Sequence, residues 1–302
     1  MGISRRSALK GLVIAGGAAA GARPAKAAVL PTPPADAVGL LYDATLCIGC
    51  KTCEVACNEA NDLPADTSFS PAALYHKPVD LSARAKTVIK LYREGDEQSF
   101  FKAQCMHCVD PACASACMLG ALQKREYGIV TYKADLCVGC RYCEVACPFN
   151  VPKFEFAKVA PKIVKCELCA HRIAQGLEPA CTTVCPRKAV IYGKRTDLLK
   201  EAKRRLAENP QKYVPKIYGE TDAGGTQVLY LSHVAFEKLG LPTLGEQPSP
   251  SLARTIQHSV YRDFIAPISL YGVLAFMTWR NRQSETETAG SAPKPESTHA
   301  AR

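Results

Sequence analysis

The sequence contains no C-x-x-C-H and no G-x-G-x-x-G. The first absence excludes covalent haem attachment: Cys105 and Cys108 are followed by Val109, and Cys166 and Cys169 by Ala170. The second excludes a nucleotide-binding loop, although Gly16-Gly17 lies in a run of small residues. Long apolar runs are also missing. The charge-free stretch near the C-terminus runs only from Phe264 to Trp279, short of the roughly 20 residues that span a bilayer comfortably. Aliphatic residues are sparse between the motifs, so a conventional core would be small. Finally, no cysteine stands alone. All 16 fall into four groups of four.

The first and third groups lie in nearly identical twelve-residue stretches. Leu46-Cys47-Ile48-Gly49-Cys50-Lys51-Thr52-Cys53-Glu54-Val55-Ala56-Cys57 matches Leu136-Cys137-Val138-Gly139-Cys140-Arg141-Tyr142-Cys143-Glu144-Val145-Ala146-Cys147. Both read C-x2-C-x2-C-x3-C, the spacing with which bacterial ferredoxins wrap a cubane iron–sulfur cluster. The second group is Cys105, Cys108, Cys113 and Cys117; the fourth is Cys166, Cys169, Cys181 and Cys185. These two share the phrase Pro-Ala-Cys, at Pro111-Ala112-Cys113 and Pro179-Ala180-Cys181. The order A-B-A′-B′ is that of a duplicated unit which already held two groups.

A cubane has four iron corners, each needing one thiolate. Cysteines three apart on a tight loop reach three corners, and Gly49 and Gly139 let the backbone come close. The remaining cysteine faces away and, in two-cluster ferredoxins, ligates the neighbouring cluster. Structural zinc uses well-separated C-x2-C pairs and has no place for a third cysteine at the same pitch. A disulfide framework fits the regular short spacings poorly. The pattern predicts four complete 4Fe–4S sites. His107 and His171 stand beside cluster cysteines but are not needed as ligands, because the cysteine count is already complete.

Residues 1–28 read as a leader. Ser4-Arg5-Arg6-Ser7-Ala8-Leu9-Lys10 is a twin-arginine signature without its usual aromatic, and Ala25-Lys26-Ala27 suits small-x-small cleavage. That export route carries folded proteins, as a chain loaded with clusters before crossing the membrane requires. Residues 264–279 are expected to be a membrane anchor, with a buried helix as the alternative; Arg262, Arg280 and Trp279 would snorkel. Arg280 and Arg282 then place the tail in the cytoplasm and the clusters outside. Residues 283–302 are polar and expected to be disordered.

The formal charge of +10 does not indicate nucleic acid. Five of the bases lie in residues 1–27, which hold no acid, so the remainder carries +5. Four oxidised cubanes with their thiolates add about −8. Lys51, Arg141 and Lys165 balance cluster charge or solvate the surface. Between the motifs, strands are predicted at residues 86–92 and 188–193, and turns leading into strands over residues 126–132 and 224–231. A helix is predicted from Thr196 to Leu206, stopped by Asn209-Pro210. The fold class is α+β: a duplicated ferredoxin-like module over 38–195 with a 61–104 insertion, then a partner-docking extension over 196–258.

Over roughly residues 38–280 the chain resembles the four-cluster ferredoxin subunits of molybdopterin oxidoreductases and membrane hydrogenases. Within that family it is similar to the periplasmic iron–sulfur subunit of hydrogenase-2-type nickel–iron hydrogenases. The likeness lies in Gln104-Cys105-Met106-His107-Cys108-Val109-Asp110-Pro111, Gly139-Cys140-Arg141-Tyr142-Cys143, Val151-Pro152-Lys153, Lys165-Cys166-Glu167-Leu168-Cys169, and Tyr218-Gly219-Glu220 with Gly224-Gly225-Thr226. Two positions depart from it: Asn58 and Met118 follow the last cysteines of groups one and two, where proline is common. The resemblance implies that Cys47, Cys50, Cys53 and Cys185 hold one cluster, and Cys57, Cys166, Cys169 and Cys181 its neighbour. It assigns Cys105, Cys108, Cys113 and Cys147 to a third, and Cys117, Cys137, Cys140 and Cys143 to the last. It further implies a periplasmic, non-catalytic relay between the hydrogenase small and large subunits and a quinone-reactive integral membrane subunit. A formate dehydrogenase, or a dimethyl sulfoxide, polysulfide or nitrite reductase, is the alternative partner.

Overall fold

The structure is a computed structural model and describes residues 32–64, 79–156, 158, 161–250 and 270–281. The expected leader (1–28), the start of the expected span (264–269) and the tail expected at 283–302 lie outside the described residues. The chain divides into two units, 1–250 and 251–302.

The first unit is organised by β1 (Val38–Asp43), whose six residues are all buried. It lies in the middle of a three-stranded sheet, antiparallel to β8 (Val190–Lys194) and parallel to β9 (Val228–Leu231). Strand periodicity sorts its side chains onto two faces. Leu40 and Tyr42, with Val228 and Tyr230, join the larger core. Leu41, with Leu229 and Leu231, packs on the opposite side against Leu198 and Ala202 of α6 (Arg195–Glu208). Both faces are covered, which is why β1 reads as continuous VGLLYD and does not alternate with polar residues.

The hairpin β2 (Val88–Glu94) and β3 (Glu97–Ala103) turns at Gly95-Asp96 and is tied to this sheet by two buried tyrosines. Tyr42 Oη donates to the Phe100 carbonyl and Tyr230 Oη to that of Lys102, each at 2.7 Å. Two smaller hairpins follow: β4 (Leu122–Lys124) with β5 (Val130–Tyr132), and β6 (Lys153–Phe154) with β7 (Ile163–Val164). Leu122, Val130, Phe154 and Ile163 close a satellite core around Cys113 and Cys143. This is a mixed α+β ferredoxin-like arrangement.

Segments after residue 195 are built into the same sheet. Arg195 Nε donates to the Thr226 carbonyl at 2.7 Å, and Gln227 Nε2 to that of Val38 at 2.7 Å, locking β9 beside β1. Thr196, expected to cap the helix, lies inside it: the helix begins at Arg195 with Lys194 at its N-cap and no side-chain cap. In the second unit, residues 270–281 are helical and exposed except for the half-buried Val273. Among the described residues no helix is long and apolar enough to cross a membrane.

Candidate iron–sulfur centres

The two twelve-residue repeats share one backbone. Gly49 and Lys51 take φ of +70° and +59°; Gly139 and Arg141 take +71° and +65°. The loop thus coils back on its own sulfur, and the Gly49 N–H reaches Cys47 Sγ at 3.5 Å. Glycine is needed at 49 for its left-handed φ and because a Cβ would fall 2.3 Å from the Phe100 ring. Lys51 and Arg141 then open the short helices α1 (Thr52–Glu59) and α3 (Tyr142–Ala146).

Groups two and four are also alike. Pro111 and Pro179 open α2 (Ala112–Ser115) and α5 (Ala180–Thr183). His107 and Leu168 occupy equivalent left-handed positions (φ +47° and +52°). The N–H four residues beyond the last cysteine donates to its sulfur in both: Ala121 to Cys117 at 3.2 Å, and Ala189 to Cys185 at 3.3 Å. A further short helix, α4 (Ala170–Ile173), follows Cys169 directly.

Packing then crosses the repeats: α1 lies on α5, and α2 on α3. A cavity of about 370 Å³, including its open mouth, is lined by Cys47, Cys50, Cys53 and Cys185. A second, of about 280 Å³, is lined by Cys57, Cys166, Cys169 and Cys181. Elsewhere burial pushes the Cys108 thiol up, and Cys105, Cys147 and Cys113 add to the effect, so these four are neighbours. Cys143, pushed up to about 12 by burial, feels Cys117, Cys140 and Cys137 in turn. Successive quartets lie within electrostatic reach: Cys53 feels Cys181, Cys105 feels Cys166, and Cys113 feels Cys143.

None of the 16 cysteines is in a disulfide. Burial holds Cys53 and Cys113 up at about 12, and Cys105 and Cys181 at about 11. Nucleophilic cysteines usually show the opposite shift. A metal, by contrast, deprotonates its thiols outright. Among the described residues no three His, Cys, Asp or Glu side chains converge on a single ion. A cubane holds its thiolates at four separate corners, a wider ring than a tetrahedral ion needs.

Two buried donors without partners support the fit of a cluster. Gln104 Nε2, on the wall of the second cavity, has no partner. Neither has His107 Nε2, in the Cys105–Cys108 loop; His107 Nδ1 accepts the Val130 N–H at 3.1 Å, which leaves the proton on Nε2. A cluster sulfide in the second cavity would offer Gln104 Nε2 an acceptor, and one held beside the Cys105–Cys108 loop would do so for His107. His107 is fully buried, whereas His171 is exposed.

Comparison with known proteins agrees with this geometry. Residues 97–195 match the 4Fe-4S dicluster domain. A protein of Nitratidesulfovibrio vulgaris is 42 % identical over 278 residues, covering 89 % of this chain and 75 % of its own length. The Hydrogenase-2 operon protein HybA of Escherichia coli is 36 % identical over 288 residues, covering 84 % and 87 %. This chain belongs to the family of HybA and the formate dehydrogenase iron–sulfur subunits. The nitrate-inducible formate dehydrogenase iron–sulfur subunit of Escherichia coli is 34 % identical over 248 residues, covering 79 % of this chain and 81 % of its own. The protein is thus an iron–sulfur electron-transfer subunit of the HybA and formate dehydrogenase type, and it binds 4Fe–4S clusters.

Of the basic residues that the sequence places near the iron–sulfur subunit's cysteines, Lys51 and Lys165 are buried. Arg141 is exposed, stacked 4.6 Å over the Phe156 ring. Sequence reasoning missed Lys102, which is 1 % exposed and lines both cavities described above. Its signal was a single charge in the otherwise apolar run Phe100-Phe101-Lys102-Ala103, two residues short of a cysteine group.

Proposed function

We propose that this subunit carries four 4Fe–4S clusters in a row and relays electrons between a periplasmic nickel–iron hydrogenase and a quinone-reactive integral membrane subunit, without breaking bonds itself. One observation carries the reading: all 16 cysteines fall into quartets, two of which each line a cavity of their own, with successive quartets in electrostatic reach of one another. Cys47, Cys50, Cys53 and Cys185 would hold the first cluster, and Cys57, Cys166, Cys169 and Cys181 the second. Cys105, Cys108, Cys113 and Cys147 would hold the third; Cys117, Cys137, Cys140 and Cys143 the fourth. A bound cluster supplies storage and release of one electron. The chain's own residues set spacing, donate N–H groups to sulfur and exclude water. Exposed Met118, Val138, Tyr142 and Val145 surround the fourth quartet and suit contact with a partner subunit.

The hydrogenase assignment rests on the likeness to HybA and on the phrases Tyr218-Gly219-Glu220 and Gly224-Gly225-Thr226. Export by the twin-arginine leader and anchoring through residues 264–279 belong to the same reading. Anaerobic purification of the intact complex tests it. A nickel–iron large subunit and about 16 irons per relay chain are expected; a complex without that subunit overturns the assignment. A formate dehydrogenase in its place is the second reading, favoured by the 34 % identical subunit of that enzyme.

A further inference from the structure

Lys102 ends the hairpin that leads into the second cysteine group, and its side chain is buried between two cavities. Its Nζ donates to Thr87 Oγ1 at 2.6 Å and to Gln104 Oε1. The Thr87 hydroxyl spends its own proton on the Ala103 carbonyl, and an amide oxygen only accepts, so both partners face ammonium protons. Among the described residues Lys102 forms no ion pair with a carboxylate. Glu54, the acid that feels it, is taken by the Ile89 N–H and by Lys51 at 3.7 Å. A buried ammonium without a counter-charge is costly. Among the described residues, the surroundings that could compensate it are the two cysteine-lined cavities that it walls, which become anionic once each holds a cluster and its thiolates.

We propose that Lys102 is a potential-setting residue, a fixed cation shared by the clusters of the first two quartets that raises the reduction potential of both. The inference rests on the four-cluster reading above. Reduction adds one negative charge to a cluster, and a cation fixed in a low-dielectric wall favours that added charge. Lys102 acts a second way through Gln104. By holding Oε1 it fixes the amide, whose unpartnered Nε2 belongs to the wall of the second cavity. Hydrogen bonds to cluster sulfur raise the potential further.

Other bases do not duplicate this effect. Lys51 lines the first cavity but is paired with Glu54, and Arg187 lines it from an exposed position where water screens it. The third quartet has its own buried lysine, Lys165, which donates to the Val130 and Cys166 carbonyls. Among the described residues no buried lysine faces the fourth quartet. The influence of Lys102 therefore covers two clusters out of four.

The test is a mediated redox titration of the full chain, with dithionite as reductant and ferricyanide as oxidant, followed by electron paramagnetic resonance. In Lys102→Met two of the four steps should move to lower potential while two stay. The reduction equilibrium of each shifted step should fall at least tenfold, about 59 mV for one electron. Lys102→Arg, which keeps the charge, should move neither. Iron and sulfide are counted in every sample. A wild-type chain without about 16 irons refutes the four-cluster reading itself. Full iron with no step moved, or with all four moved alike, overturns the role of Lys102. Should Lys102→Met shed the iron of two clusters while Lys102→Arg keeps it, the charge requirement is upheld. Loss in both variants overturns it in favour of packing.

Discussion

Replacing Cys185 by alanine removes one thiol from the cavity it shares with Cys47, Cys50 and Cys53. Cys181, only four residues earlier, lines the other cavity, with Cys57, Cys166 and Cys169. The single variant should therefore lose one cluster, about four of about 16 irons per chain. Pairs of substitutions sharpen the test. Cys185→Ala with Cys53→Ala strikes the same cavity twice and should lose no more than the single variant. Cys185→Ala with Cys181→Ala strikes two cavities and should lose about eight irons. Iron and acid-labile sulfide per chain, with a spin count after dithionite reduction of anaerobically prepared protein, measure the outcome. The reverse order of losses would show that cysteines group by nearness in sequence, and the quartets would be wrong. A single variant already missing eight irons would refute the independence of the two cavities.

Gly49→Ala places a methyl group against the Phe100 ring in a left-handed residue and should cost the first cluster. Gly95→Ala, equally left-handed (φ +58°) but with open space around it, should keep every iron. Asp43 is fully buried and accepts from Arg205 Nη1 at 3.0 Å and Tyr213 Oη at 2.9 Å, so Asp43→Ala breaks a buried ion pair. The loss is on the order of 3–5 kcal/mol, visible as a melting temperature several degrees lower; an unchanged melt contradicts it. Stripping the iron with chelator and oxidant should abolish near-ultraviolet dichroism, because Cys53, Cys105, Cys166 and Cys181 belong to the main core; a retained signal argues for a core that stands without metal. Removal of the chain from Phe264 onward should release the protein from membranes, and Arg5-Arg6 changed to Lys-Lys should hold the precursor in the cytoplasm; cell fractionation reads both.

The cysteine pattern was legible because cluster ligation constrains spacing directly, and the near-identical repeats adopt matching backbone angles at Gly49, Lys51, Gly139 and Arg141. Strands β2, β5 and β8 were legible from local composition. Strand β3, EQSFFKA, was not, because its polar first half resembles the loop in which it lies. The place of β9 was hidden for another reason. Its parallel register with β1 pairs Leu40 with Val228, a contact between distant parts of the chain that no local period announces. The burial of Lys102 depends on that same assembly, since Tyr230 of β9 holds the Lys102 carbonyl. Beyond one charge in an apolar run, no local pattern marks Lys102 as a residue that the tertiary fold encloses.

The central position of β1 has a bearing on how the protein is made. That strand emerges from the ribosome early, yet one of its neighbours is residues 190–194 and the other residues 228–231. Cys47, Cys50 and Cys53 likewise have to wait for Cys185 before the cavity that the four line is closed. On the proposed grouping, metal delivery to this site would wait for translation of nearly the whole domain, and a prematurely terminated product would expose open thiols.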